Sequence, residues 1–213
     1  TSGTSANFAE NGTGTAYTAA ATDVDGDTPT YHLIGGADQA LFDLDSSSGA
    51  LTFKSEPNYE DPKDASLPSD NVHEVQIEAR DGNGGTATQT VSITVTNVNE
   101  NPVFTSTPPA NVDEGTSASF YTLTATDPDA GIIPVYSISG GVDSGHFQIN
   151  SSTGALSFIN APNFEAPTDA NTDNVYEVIV QAFDGTLTDT QAISVTVTDL
   201  NNDLGLATNG DDI

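Results

Sequence analysis

Along the second half of the chain Tyr176, Val178, Val180 and Ala182 alternate with Glu177, Ile179, Gln181 and Phe183. Ile193, Val195 and Val197 then alternate with Ser194, Thr196 and Thr198. A period of two over such lengths turns one face of a strand to a core and the other to water. The same two runs occur earlier, at His73, Val75, Ile77 and Ala79 and at Val91, Ile93 and Val95. Short runs rich in Val, Ile, Thr and Phe, punctuated by 19 Gly and 11 Pro, predict an all-β chain. In the first half the pattern predicts strands at 6–9, 13–20, 30–35, 41–45, 50–54, 72–80 and 86–97. The Ser48-Gly49-Ala50-Leu51-Thr52-Phe53 segment predicts a tight hairpin in which glycine takes the positive φ and Leu and Phe enter a strand.

The pattern repeats. Ala21-Thr22-Asp23-Val24-Asp25 returns as Ala125-Thr126-Asp127-Pro128-Asp129, and Ser48–Phe53 returns as Thr153–Phe158. Asp70-Asn71-Val72-His73-Glu74-Val75 returns as Asp173-Asn174-Val175-Tyr176-Glu177-Val178. The offset drifts between 103 and 105 residues, which places the insertions in loops, where they are tolerated. Two modules are therefore expected, residues 1–101 and 102–213. About seven short strands in roughly 100 residues predict a two-sheet sandwich with Greek-key links for each.

Composition changes the picture in one respect. Three Lys and Arg stand against 31 Asp and Glu, a formal charge of −28. That balance excludes nucleic-acid binding, which needs clustered cations, and disfavours an anionic membrane surface. The absence of cysteine removes disulfides and thiolate chemistry. No apolar run reaches the length of a membrane span. The opening Thr1-Ser2-Gly3-Thr4 has no leader character, so any secretion signal is expected outside this sequence.

The acids sit at the ends of the expected strands. Asp23 and Asp25 follow the strand ending at Ala21, Asp81 closes the His73–Arg80 run, and Glu10 follows the opening strand. Glu60 lies in a Pro-bounded loop, and Asn97, Asn99, Glu100 and Asn101 lie where one module hands over to the next. Carboxylates at this density repel one another unless a cation sits among them. Strand-end clusters of oxygen donors are what Ca²⁺ requires, since it takes 6–8 oxygens from carboxylates, amides, carbonyls and water. Asp and Asn also populate ordinary turns, but the whole set recurs one module later.

These motifs resemble the tandem cadherin-like repeats of bacterial surface proteins and large secreted adhesins. The likeness rests on five motifs in order, each in both copies: Glu10 and Glu114; Asp23/Asp25 and Asp127/Asp129; Pro57-Asn58-Tyr59-Glu60 and Pro162-Asn163-Phe164-Glu165; Ala79-Arg80-Asp81-Gly82 and Ala182-Phe183-Asp184-Gly185; and the linker Asn97-Val98-Asn99-Glu100-Asn101-Pro102 with its copy from Asp199. The resemblance implies an immunoglobulin-like sandwich and a calcium cluster shared by neighbouring repeats. Carried over by position, the junction ligands are Glu10, Glu60, Asn97, the Val98 carbonyl, Asn99, Glu100, Asn101, Asp127, Asp129 and Asp184. Two or three Ca²⁺ ions are implied. Asn58 and Asn97 stand where the family has Asp. Asp23, Asp25 and Asp81 would face a preceding repeat, and Glu114, Glu165 and Asp199 a following one.

Other chemistry fits less well. Asp23-x-Asp25-x-Asp27 begins like an EF-hand, but Thr28 and Ile34 replace its Gly and Glu. His73 occupies the inward slot that Tyr176 holds in the copy, the place of a core side chain. With no Trp and only 15 Phe and Tyr, a glycosidase cleft is not expected, and no catalytic triad stands out. The expected function is that of a calcium-rigidified structural or adhesive repeat, extracellular on a bacterial surface, serving adhesion or biofilm. Its partners are neighbouring repeats. The alternative is a calcium-dependent carbohydrate-binding or homophilic contact module, with a polysaccharide or another cell-surface protein as partner.

Overall fold

The computed structural model describes residues 2–65 and 69–200. It divides into two compact units, Thr1–Val98 and Asn99–Ile213. Asn99 and Glu100 go with the second unit because both are tied to it: Asn99 Nδ2 donates to Asp184 Oδ2, and Glu100 N–H donates to Asp129 Oδ2.

The first unit contains β1 (Ser5–Ala9), β2 (Thr15–Thr18), β3 (Thr30–Gly35), β4 (Phe42–Leu44), β5 (Ala50–Phe53), β6 (Val72–Arg80) and β7 (Thr86–Thr96). A four-stranded sheet in the order β1-β7-β6-β3 faces a three-stranded sheet in the order β2-β5-β4. Strand β1 runs parallel to β7, pairing Ser5 with Ser92, and the other pairs are antiparallel. The alternation expected of β6 and β7 is realised: His73, Val75, Ile77, Val91, Ile93 and Val95 are all buried. Across the sandwich they meet Phe42 and Leu51. Strand β2 is shorter than the expected 13–20. Its pairing with β5 slips between Thr15 and Tyr17, so that consecutive residues Ala16 and Tyr17 are both buried, which simple alternation does not allow.

The second unit repeats the plan with β8 (Val103–Phe104), β9 (Asn111–Asp113), β10 (Tyr121–Thr122), β11 (Ala125–Thr126), β12 (Val135–Gly140), β13 (Phe147–Ile149), β14 (Ala155–Phe158), β15 (Val175–Phe183) and β16 (Thr188–Thr198). Its large sheet runs β12-β15-β16-β9, with β9 parallel to β16. A three-stranded sheet, β10-β14-β13, and the two-stranded pair β11-β8 complete it. Tyr176, Val178, Val180, Ala182, Ile193, Val195 and Val197 fill the core against Phe147, Leu156 and Phe158.

The hairpin glycines behave as their sequence context demands. Gly49 and Gly154 have φ of +72° and +70°, and a Cβ at either would lie 2.4 or 2.3 Å from the carbonyl oxygen of Ala19 or Leu123. Any other residue there would be strained and would push two strands apart.

Candidate metal centre

Glu10 follows β1 directly and is 2% exposed. Its Oε2 accepts the Tyr59 N–H at 2.7 Å and its Oε1 accepts the Val98 N–H at 2.7 Å. One carboxylate thus fixes the loop that carries Glu60 and the strand end that carries Asn97. Carboxylate oxygens of Glu10 and Glu60 lie within 4.8 Å of each other. Asn58 holds the same loop from inside, its Oδ1 accepting the Asp61 N–H at 2.6 Å.

The second unit builds the same end with one more charge. Glu114, 6% exposed, accepts the Phe164 N–H at 3.0 Å and the Leu200 N–H at 3.2 Å. Oxygens of Glu114, Glu165 and Asp199 all lie within 4.8 Å of one another. Three carboxylates at that spacing, with few cations in the chain, suit a hard divalent ion. Asn163 repeats the inner turn by accepting the Ala166 N–H at 2.7 Å.

At its other end the second unit gathers Asn99, Glu100, Asp127, Asp129 and Asp184. Asp129, 6% exposed, donates its N–H to Asp127 Oδ1 at 2.9 Å and accepts the Glu100 N–H at 2.9 Å. Asp127 Oδ2 is buried and has no hydrogen-bond partner among the described residues, which is where a metal would add a bond. Asp184 accepts from Leu187 N–H, Asn99 Nδ2 and Thr186 N–H. The Leu187 bond is the main cause that holds its carboxyl below the usual carboxylate range, against a smaller opposing effect of burial. Asn101 is exposed beside the buried Pro102.

The corresponding end of the first unit is more open. Asp25 N–H donates to Asp23 Oδ1 at 2.8 Å, and Asp81 Oδ1 accepts the N–H groups of Asn83, Gly84 and Gly85. Asp23 and Asp81 are half-buried and Asp25 is exposed.

Two kinds of residue in this construction are not visible as site residues in the sequence. Asn71 and Asn174 take φ of +62° and +65°, and their Nδ2 groups donate to the carbonyls of Tyr59 and Phe164, bracing the loops that bear Glu60 and Glu165. Their signal was an Asn at the same point of both copies, just before a strand. Asp38 and Asp143 are buried acids that are structural: each accepts two backbone N–H groups, from Ala65 and Glu74 or from Ala170 and Glu177. Asp64 and Asp169 accept the N–H groups of Asn71 and Asn174 in the same way.

Among known proteins, the cadherin domain family matches residues 108–198, and the bacterial Ig domain family matches residues 1–94. Human Protocadherin-15 is 32% identical over 197 residues, covering 89% of this chain and 9% of its own length. Human Cadherin EGF LAG seven-pass G-type receptor 2 is 31% identical, covering 80% of this chain and 6% of its own length. The chain thus spans a small fraction of these relatives. Among solved structures, human Protocadherin-24 EC1-2 superposes with a TM-score of 0.60 at 21% identity, covering 92% of this chain and 94% of that one. Drosophila N-cadherin EC1-4 gives 0.61 at 20% identity over 91% of this chain and 48% of that one. At those identities the likeness establishes the fold. No helix among the described residues is long and apolar enough to cross a membrane. Cadherin domains typically bind Ca²⁺ and serve adhesion rather than catalysis. The chain is a tandem of two cadherin-like repeats.

Proposed function

We propose that this tandem is a calcium-rigidified spacer and adhesive segment of a secreted bacterial surface protein, working in cell adhesion or biofilm. The observation that carries the reading is the Glu114–Glu165–Asp199 cluster, three carboxylates within 4.8 Å inside one repeat. In this reading the ion-binding residues of the junction are Glu10, Glu60, Asn97, Val98, Asn99, Glu100, Asn101, Asp127, Asp129 and Asp184, holding two or three Ca²⁺. Asp23, Asp25 and Asp81 form an outer half-site toward a preceding repeat. Glu114, Glu165 and Asp199 form one toward a following repeat. The match of residues 1–94 to a bacterial Ig domain supports the bacterial origin.

The mechanism follows from charge. Without metal, carboxylates brought to the junction by the two repeats repel each other and the hinge stays loose. Calcium bridging them stiffens the hinge. Extracellular modules bind calcium at about 10⁻⁴–10⁻³ M, so the stiffening belongs outside the cell. At 100 times the dissociation constant each site adds about 2.7 kcal/mol to folded-state stability.

Small-angle X-ray scattering tests this, first in EDTA and then in millimolar calcium. A broad ensemble should become one extended particle, and D127A/D129A should abolish the response while both repeats stay folded. Identical scattering curves in the two conditions would refute the reading.

A further inference from the structure

The two repeats act as controls for each other at one feature of the first. A cavity of about 460 Å³ opens between the turn Gln39–Leu41, the end of β5 at Phe53, the 54–63 loop and His73 of β6. Its volume lies within the roughly 300–1,000 Å³ of small-molecule sites. Leu41, Phe53 and Pro57 give it an apolar side. Lys54, Glu56, Asn58, Asp61 and Lys63 give it a polar rim.

Both lysines of the chain line this one cavity. Lys54 Nζ donates to the Ala40 carbonyl at 2.9 Å, and Lys63 pairs with Asp61 at 2.5 Å. His73 lines it too, 2% exposed, with Nδ1 buried and lacking any hydrogen-bond partner among the described residues. A buried unsatisfied nitrogen is costly and calls for an explanation.

The second repeat shows how the space is otherwise filled. Tyr176 replaces His73 and His146 replaces Leu41, their rings meeting edge-on at 5.5 Å. The Tyr176 hydroxyl accepts the Thr168 N–H at 3.2 Å, so the side chain in the His73 position has its partner. Ile159, Ala161, Ala166 and Thr168 stand where the first repeat has Lys54, Glu56, Asp61 and Lys63. The first repeat has at this place a cavity lined by mixed hydrogen-bonding groups.

We infer that this cavity of the first repeat binds one or two neutral hexose units of a glycan. A sugar ring offers a C–H face for Leu41, Phe53 and Pro57, and hydroxyls that both donate and accept. The rim supplies both partners, with ammonium donors on Lys54 and Lys63 and carboxylate acceptors on Glu56 and Asp61. An anionic sugar is disfavoured by the field of a chain carrying −28 charges. The binding needs no metal, because no group of this lining requires one to offer its hydrogen bonds.

The test is an amide NMR titration of the whole chain with glucose, galactose, mannose, maltose, cellobiose and lactose, in EDTA and again in calcium. At least one sugar should give saturable shifts confined to residues 40–41, 53–63 and 73, present in EDTA. L41H/H73Y, which installs the packing of the second repeat and so should fold, should weaken binding by at least about tenfold. K54A should weaken it less. No saturable shift with any of the six sugars overturns the inference, as does binding that survives unchanged in L41H/H73Y. The calcium reading is judged separately by scattering, so either can fail alone.

Discussion

The C-terminal ends of the two repeats are built on one plan and differ in charge. Glu10 and Glu114 each bury a carboxylate between two backbone N–H groups, and each brings a loop glutamate beside it. The third position is Asn97 in the first repeat and Asp199 in the second. The framework is thus kept by hydrogen bonds that need no metal, while the charge at the rim differs by one carboxylate. The lesson is that the buried glutamate has two roles. It holds the loop and strand end together, and in the proposed function it also offers its remaining lone pairs to an ion.

The largest effect should come from removing that glutamate. E114A leaves two N–H groups without their acceptor and should cost roughly 2–4 kcal/mol in thermal or urea unfolding without calcium. E10A should cost as much. A loss under about 0.5 kcal/mol for either would break the equivalence of the two ends.

A smaller effect tests the charge difference itself. N97D should give the first repeat the three-carboxylate set of the second and raise calcium affinity by about tenfold, read by isothermal titration calorimetry. D199N should lower it by a similar factor. Unchanged isotherms for both would separate these positions from the metal.

The next comparison is His73 against Tyr176. Burial pushes the His73 imidazole below its ordinary range, with Asp38, Asp64 and Asp70 opposing the shift. The unfolded chain therefore takes up this proton more readily than the folded one. Stability from this group is full above the unfolded value of about 6.5 and falls as pH drops from there toward the folded value. H73Y should flatten the pH dependence of melting between pH 6.5 and the folded value. An unchanged slope would remove His73 from the account.

The smallest effect is expected at the hairpin. Asp45 Oδ1 accepts the N–H and hydroxyl groups of Ser47 and Ser48, and the Ser48 N–H leads the causes that hold its carboxyl far below the usual range. Asn150 makes the same turn in the second repeat without charge. D45N should leave the melting temperature at neutral pH nearly unchanged, because an uncharged Asn already makes this turn in the second repeat.

Much of the fold was legible in the residues. Strands β6 and β7 followed from strict alternation, and β3, β4 and β5 fell within or close to their expected spans, because short strands bounded by Gly and Asp are local features. Strand β2 was shorter than expected because its slip against β5 is a property of the pairing. The parallel placement of β1 beside β7 could not be read either, since no local pattern encodes which distant strand a segment joins. The acids at strand ends were visible as metal candidates. Their division into ligand candidates and structural acids was not. Asp38 and Asp143 look like other loop acids until the fold buries them over backbone N–H groups.

The sequence by itself determined the alternation, the doubling of one module and the excess of negative charge, because each is written in local pattern or simple composition. Tertiary structure alone decided which carboxylates meet. Glu114, Glu165 and Asp199 are far apart along the chain, and only the closing of a sandwich end brings their oxygens within 4.8 Å. It decided the cavity at His73 as well, because a void depends on how much of the space between elements their side chains fill, and no single segment specifies that.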